Sequence, residues 1–308
     1  MPNSTYITLV IICTLEAVLI IFGNTFPIFV FWTERSRLKR TYFLLVNLAV
    51  VDLLVGITEL IIIGTAKSHN VGEGYGFLIR TRTSPIAAFI LLFSGTSVYF
   101  LALISMERAF AVLRPIRHRI TNSRVYNCSI VIVWAVGLAF FGFALLSFYY
   151  SDFVGEYVFL PFRTFLLISF LIICVSYLSI RTRLRAPPRA ELDNQRHPSR
   201  EHNLRFSKTV FIAIASSLVF WMPAFVVYLT REFCQRCFTP LVFWLVDAMY
   251  LVNSMVNPLL YSFRMQIFKD ALHEFWRKRQ QNVRPVVQQN SLGFGLEGSF
   301  TPKRSTMV

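Results

Sequence analysis

The sequence is short of charge, and above all of negative charge. Only 15% of its 308 residues are Asp, Glu, Lys or Arg, and 16 acidic residues stand against 31 basic ones. A soluble domain of this length needs polar surface to face water. With 55% hydrophobic residues and a mean hydropathy of +0.54, the chain has little to offer. Cysteine is scarce too, at five. Cys13, Cys128 and Cys174 fall inside apolar runs and read as small buried hydrophobes. Cys234 and Cys237 share a polar connection, where a local disulfide is expected on an oxidising face. Zinc is disfavoured there, because no second Cys or His pair is near. The chain also lacks a His-x-x-x-His cluster, a Gly-x-Ser-x-Gly motif within an apolar run and a di-aspartate motif, so it is not read as an enzyme.

What the chain does have is apolar runs long enough to cross a bilayer. The runs are continuous rather than alternating, so they read as helices, which satisfy their own backbone hydrogen bonds in lipid. The expected spans are 7–32, 42–66, 84–110, 126–150, 157–182, 207–230 and 239–263. Each is about 25 residues, or roughly 38 Å as helix. The fold class is therefore an all-α membrane protein, a seven-transmembrane helix bundle. Residues 1–6 form a short N-terminus, 7–263 the bundle, 264–279 an amphipathic helix and 280–308 a disordered tail. In the amphipathic helix Phe268, Leu272, Phe275 and Trp276 make an apolar face, with Lys269, Arg277 and Lys278 placed to meet anionic membrane lipid.

Charge sets the orientation. Lys67, Arg80, Arg82, Arg163, Arg231 and Arg236 fall on one side of the expected membrane, and the other 25 of the 31 basic residues on the opposite side. That bias marks the side holding the C-terminus as cytoplasmic. The N-terminus is then extracellular, and a multi-pass plasma-membrane protein is expected. The basic residues form no single patch interleaved with aromatics, so no nucleic acid is expected as a partner.

Polar residues inside spans are functional candidates. Asp52 lies near the middle of span two, with Asn24, Ser97, Asn253 and Asn257 at comparable depth. On the residues alone two readings stand: a hydrated cation site, or hydrogen-bond glue between helices worth about 0.6 kcal/mol per contact.

Several short motifs now line up in order. They are Gly23-Asn24, Leu48-Ala49-Val50-Val51-Asp52, Glu107-Arg108-Ala109, Trp134, Phe220-Trp221-Met222-Pro223, and Asn257-Pro258-Leu259-Leu260-Tyr261 followed by Phe268. Together they resemble the rhodopsin-like, class A, G-protein-coupled receptors over about residues 7–278. The resemblance implies a receptor that turns extracellular binding of a small-molecule, lipid or peptide ligand into activation of a heterotrimeric G protein, with arrestin as a second partner. It implies no cofactor beyond an allosteric sodium ion held by Asp52, Ser97, Asn253 and Asn257. It also implies an activation switch. Glu107 would hold Arg108 at rest, Tyr177 and Tyr261 would brace it when released, and Trp221 above Pro223 would lever helix six, with Asn257 and Pro258 moving in helix seven.

The departures from the family pattern are informative. Ala109 replaces the triad's tyrosine and Phe220 the sixth-span cysteine. No cysteine stands near Thr83, Ser84 and Pro85, and Ser169 takes the place of a fifth-span proline. With the very short connection at about 151–156, these features resemble the melanocortin, cannabinoid and lysophospholipid receptor branch. Ile90 and Leu251 occupy the family's amine-aspartate and retinal-lysine positions, which argues against a monoamine receptor and an opsin. Glu59, Ile90, Arg163, Trp221 and Asp247 are the candidate ligand-binding residues. Glu59, Arg163 and Asp247 equally suit structural pairing with one another. The alternatives are a receptor-like protein uncoupled by Ala109, or a transporter or channel, which the lack of visible inverted repeats disfavours. Thr306-Met307-Val308 resembles a class I tail for a PDZ protein.

Overall fold

A computed structural model describes residues 3–33, 40–68, 85–149, 154–185, 212, 215–227, 230, 239–264, 269–270, 273 and 277. Among the described residues there are helices and no strands. Helix one is Asn3–Thr33, helix two Thr41–Ser68, helix three Pro85–Leu113, helix four Ser123–Tyr149, helix five Val154–Arg185 and helix seven Pro240–Arg264. The described part of helix six is Ala215–Val227. Helices one to five each contain a stretch long and apolar enough to cross a membrane. The chain divides into two units, Met1–Met265 and Gln266–Val308. In the second, Lys269, Asp270, His273 and Arg277 are helical, and the rest of the expected amphipathic helix lies outside the described residues. So do Cys234, Cys237 and the tail from 280 to 308.

Local chemistry sets the ends. Helix three opens on Pro85, which suits a first turn whose N–H groups are unpaired anyway. It runs to Leu113, three residues beyond its expected end, and stops because Arg114 precedes a proline and leaves the helical region, with φ −134° and ψ 64°. A short helix that the sequence reading did not anticipate follows, Pro115–Ile120. Helix four also starts three residues before its expected position, because the Asn122 side-chain oxygen accepts a 3.1 Å hydrogen bond from the Arg124 N–H and caps the first turn.

Helix three is the centre of the bundle, packed against helices two, four and five. Phe100 is fully buried and meets Trp134 of helix four edge-on at 6.1 Å. The Trp134 indole N–H donates to Asn47 Oδ1 at 3.0 Å, joining helix four to helix two. An aromatic cluster ties helices three, four and five, with Phe140 5.2 Å from Phe165 and 6.3 Å from Tyr99. Phe22, Val131, Ile132 and Val175 face outward and exposed, the arrangement expected of a surface whose solvent is lipid. Cys13 is buried as expected. Cys128 is instead exposed, on the outward face of helix four, so the reading of it as a buried residue is corrected.

Candidate functional site: a buried polar network and a three-sided carboxylate

Two polar constellations interrupt this apolar bundle. The first surrounds Asp52, which is 0% exposed. Ser97 of helix three donates to its Oδ1 at 2.7 Å, Ser254 of helix seven to the same oxygen at 2.8 Å, and Asn257 Nδ2 to Oδ2 at 2.9 Å. Asn253 sits one turn before Asn257, so the two share a helix face. Both present a buried side-chain oxygen without a hydrogen-bond partner among the described residues. The structure thus brings Asp52, Ser97 and Asn257 into direct contact and adds Ser254. A serine on the same helix face as Asn257 was the signal available for it in the sequence. A carboxylate, hydroxyl oxygens and amide oxygens make the all-oxygen donor set that a hard monovalent cation takes.

Pro258 lies inside helix seven, one residue after Asn257 of this network. The proline has no N–H, so the Ser254 carbonyl loses its partner one turn on. Asn24 Nδ2 of helix one supplies the replacement at 3.1 Å, while also reaching the Ile20 carbonyl at 2.9 Å. Gly23 makes room for the arrangement, since a Cβ there would lie 3.1 Å from Pro258 Cγ.

The second constellation lies at the end of the bundle rich in arginine. Glu107 and Arg108 are 8% and 4% exposed, and the Arg108 Nε and Nη2 donate to the two carboxylate oxygens of Glu107. Two residues that sequence reasoning missed complete the site. His118 Nε2 of the short helix lies 2.7 Å from Glu107 Oε1, and the Tyr126 hydroxyl of helix four donates to the same oxygen at 3.2 Å.

The remaining candidates are more scattered. Trp221 is buried, with its ring centroid 5.7 Å from that of Tyr250. Pro223 is half-buried on helix six and Pro258 buried on helix seven. The Tyr177 hydroxyl accepts a 3.0 Å hydrogen bond from Arg181 of its own helix. Tyr261 is on helix seven, with its side chain outside the described part. Glu59 is buried in helix two, with Asp247 and Glu16 as electrostatic neighbours. Ile90 and Arg163 are half-buried on helices three and five.

Comparison with known proteins places this geometry. The sequence pattern of the 7 transmembrane receptor (rhodopsin family) matches residues 23–261. The human adenosine receptor A2a is 24% identical, over 91% of this chain and 75% of its own length. The dog adenosine receptor A3 is 24% identical over 88% and 90%. The mouse trace amine-associated receptor 5 is 25% identical over 88% and 85%. A match running from Gly23 beside the Asp52 network to Tyr261 at the end of helix seven covers both constellations, and the chain belongs to the rhodopsin family of seven-transmembrane, G-protein-coupled receptors.

Proposed function

We propose that the receptor stands here in its resting arrangement, with the Glu107–Arg108 pair as the latch on G-protein activation. The observation that carries this reading is the burial of that pair at the arginine-rich end, with the carboxylate satisfied at both oxygens. Opening the latch frees a guanidinium whose planar donor fork suits carboxylate and carbonyl groups of a docking partner. That end is taken as cytoplasmic, the N-terminus as extracellular and the membrane as the plasma membrane, on the distribution of basic residues. Arrestin at the same end, and a PDZ protein at Thr306–Val308, belong to this reading. So does a sodium ion held by Asp52, Ser97, Asn253 and Asn257, now with Ser254. Such an ion supplies the positive charge that a buried carboxylate needs and ties helices two, three and seven together. Ala109 leaves the latch itself intact, which favours a coupled receptor over an uncoupled one.

Exchange of guanine nucleotide on added heterotrimeric G protein tests the reading, in membranes carrying the full chain or the Arg108→Ala variant at matched levels. Loss of at least tenfold of the receptor-dependent rate in the variant is expected. An unchanged rate would remove Arg108 from the mechanism.

For the ligand, the names of the relatives point to different chemistries, and none is carried over. The Glu59, Asp247 and Glu16 neighbourhood supports a cationic ligand, because carboxylates gathered in a partly desolvated site attract an ammonium or guanidinium group. A panel of small cationic, neutral and anionic compounds, read by the same exchange assay, is expected to yield agonists among the cations. Agonists confined to the anionic and neutral compounds would sink this assignment.

A further inference from the structure

Above the Asp52 network, with the arginine-rich end as the bottom of the bundle, polar side chains lie in two layers. Helix three descends to Arg108, and helix two climbs from Arg40, which bonds the Thr121 carbonyl at the bottom. Helices one and seven run in the same direction, because Cys13 neighbours Asp247 and, further along both, Gly23 meets Pro258. Ser97 and Ser254 share Asp52 Oδ1 and Asn24 holds the Ser254 carbonyl, so these residues mark one level. Glu59 comes seven residues after Asp52, Asp247 seven before Ser254 and Glu16 eight before Asn24. At about 1.5 Å per residue all three carboxylates stand roughly 10–12 Å above that level, and they are electrostatic neighbours. One Glu16 oxygen, Oε2, is buried with no hydrogen-bond partner among the described residues.

The second layer lies between the carboxylates and the network. Ser94 is three residues before Ser97 and Tyr250 four before Ser254, about 5 Å above the network. Trp221 of helix six joins them, its ring centroid 5.7 Å from that of Tyr250. Ser94 is 5% exposed and Trp221 8%. The Ser94 hydroxyl and the Trp221 indole N–H have no hydrogen-bond partner among the described residues. Other buried hydroxyls of helix three behave differently: Thr96 and Ser105 turn back onto the Leu92 and Leu101 carbonyls of their own helix. Buried polar groups left unmade are costly, so two of them at one level call for a partner that the described residues do not supply. An indole N–H only donates, whereas a hydroxyl donates or accepts, so an acceptor atom entering this layer satisfies both.

We propose that the ligand is a small amine that also carries an oxygen acceptor, an amino alcohol or amino ketone, with its nitrogen at the carboxylate layer and its oxygen bound by Ser94 and Trp221. The inference rests on the cationic-ligand reading above and adds to it a second pole. The two layers are about one helical turn apart, roughly 5 Å along the bundle axis, so several bonds separate the nitrogen from the oxygen. Helix three carries Ile90 one turn above Ser94, at the height of the carboxylates. It offers the nitrogen no counter-charge, which sends that pole toward helices one, two and seven and lays the ligand obliquely across the bundle. An amine without the oxygen fills the same space but leaves both donors stranded, and a site built on such hydrogen bonds rejects it.

Thermal stabilisation of the purified full chain tests the proposal without G protein. The probes are ω-amino alcohols of three to eight carbons, each set against the alkylamine and the α,ω-diol with the same number of heavy atoms. At the best length the amino alcohol is expected to reach half-maximal stabilisation at a concentration at least about tenfold below that of either counterpart. Ser94→Ala is expected to bring amino alcohol and alkylamine together while both still bind, and Ser94→Thr, which restores a hydroxyl, to part them again. Glu59→Gln is expected to weaken the amino alcohol and the alkylamine alike and to leave the diol unchanged. Amino alcohol and alkylamine of equal strength at every length would overturn the proposal alone, with water serving the two donors and the cationic reading intact; this comparison is made in the wild type and needs no variant to fold. An undiminished preference for the amino alcohol in Ser94→Ala would also overturn it. If the diol matches the amino alcohol and Glu59→Gln changes nothing, the cationic reading fails and takes the nitrogen pole with it. Stabilisation by none of the probes would overturn both.

Discussion

The Asp52→Asn receptor is expected to unfold at the same temperature in sodium chloride as in choline chloride, whereas the wild type is expected to unfold at a higher temperature in sodium. The expectation comes from the donor set. Asp52 is fully buried and bonded by Ser97, Ser254 and Asn257, and the side-chain oxygens of Asn253 and Asn257, which have no hydrogen-bond partner among the described residues, lie on one face of helix seven. A cation bound only by the folded state adds about 1.4 kcal/mol of stability at roughly ten times its Kd. The amide of Asn keeps the shape of the carboxylate and removes the charge, so this increment disappears. In choline the variant is expected to melt higher than the wild type, because a neutral amide no longer strands a buried charge. Thermal unfolding of the purified chain in the two salts measures both effects. A sodium increment of equal size in the variant would show that Asp52 holds no cation and that the network is interhelical glue.

The largest loss of stability from a small change is expected at Gly137, where helix four crosses helix three. A Cβ at Gly137 would stand 2.2 Å from Thr96 Oγ1 and 3.2 Å from Leu92 Cδ1. Thr96 has no room to yield. It is 0% exposed, and its hydroxyl already donates to the Leu92 carbonyl at 2.5 Å. Gly137→Ala must therefore part the two helices, and overpacking of this kind costs about 1–3 kcal/mol. The change is felt widely, because helix three is the element against which helices two, four and five pack. Gly142 of the same helix is the control, since a Cβ there meets nothing within 4 Å. Unfolding temperature and the monomeric fraction after extraction are expected to fall for Gly137→Ala and hold for Gly142→Ala. Adding Thr96→Ala to Gly137→Ala is expected to recover most of the loss. No recovery, or an equal loss at Gly142, would mean that the helix crossing is not what this glycine serves.

Much of this architecture is legible in the sequence because lipid imposes one rule on every span. A helix in hydrocarbon must be apolar along its whole length, so each reads as a continuous run, and the few polar residues inside it stand out. Asp52, Ser97 and Asn257 were visible for that reason. Ser254 is a milder interruption, a single hydroxyl, and its role depends on helix seven turning that face toward helix two. His118 was hidden differently. Its helix, Pro115–Ile120, is too short for any periodicity to emerge, and Arg117 and Arg119 on either side make it read as one more part of a basic loop. Tyr126 passed for the first apolar residue of a span. Both residues matter through contact with Glu107, a relation between distant positions that no local pattern encodes. Cys128 was misjudged because apolar character alone does not say whether a residue faces a neighbouring helix or the lipid.

The bond from Asn24 to the Ser254 carbonyl links residues 230 positions apart. Its consequence falls on biosynthesis. A chain made from the N-terminus places helix one in the membrane long before helix seven exists. Until the last span arrives, the Asn24 amide has no partner on another helix and the notch at Gly23 has no proline ring to receive. The first helix to enter the bilayer is thus completed by the final one, and in every shorter intermediate the Asn24 amide has only the Ile20 carbonyl of its own helix to bond. Docking of helix seven gives that amide its second acceptor, the Ser254 carbonyl, and so joins the first helix of the bundle to the last at the close of synthesis.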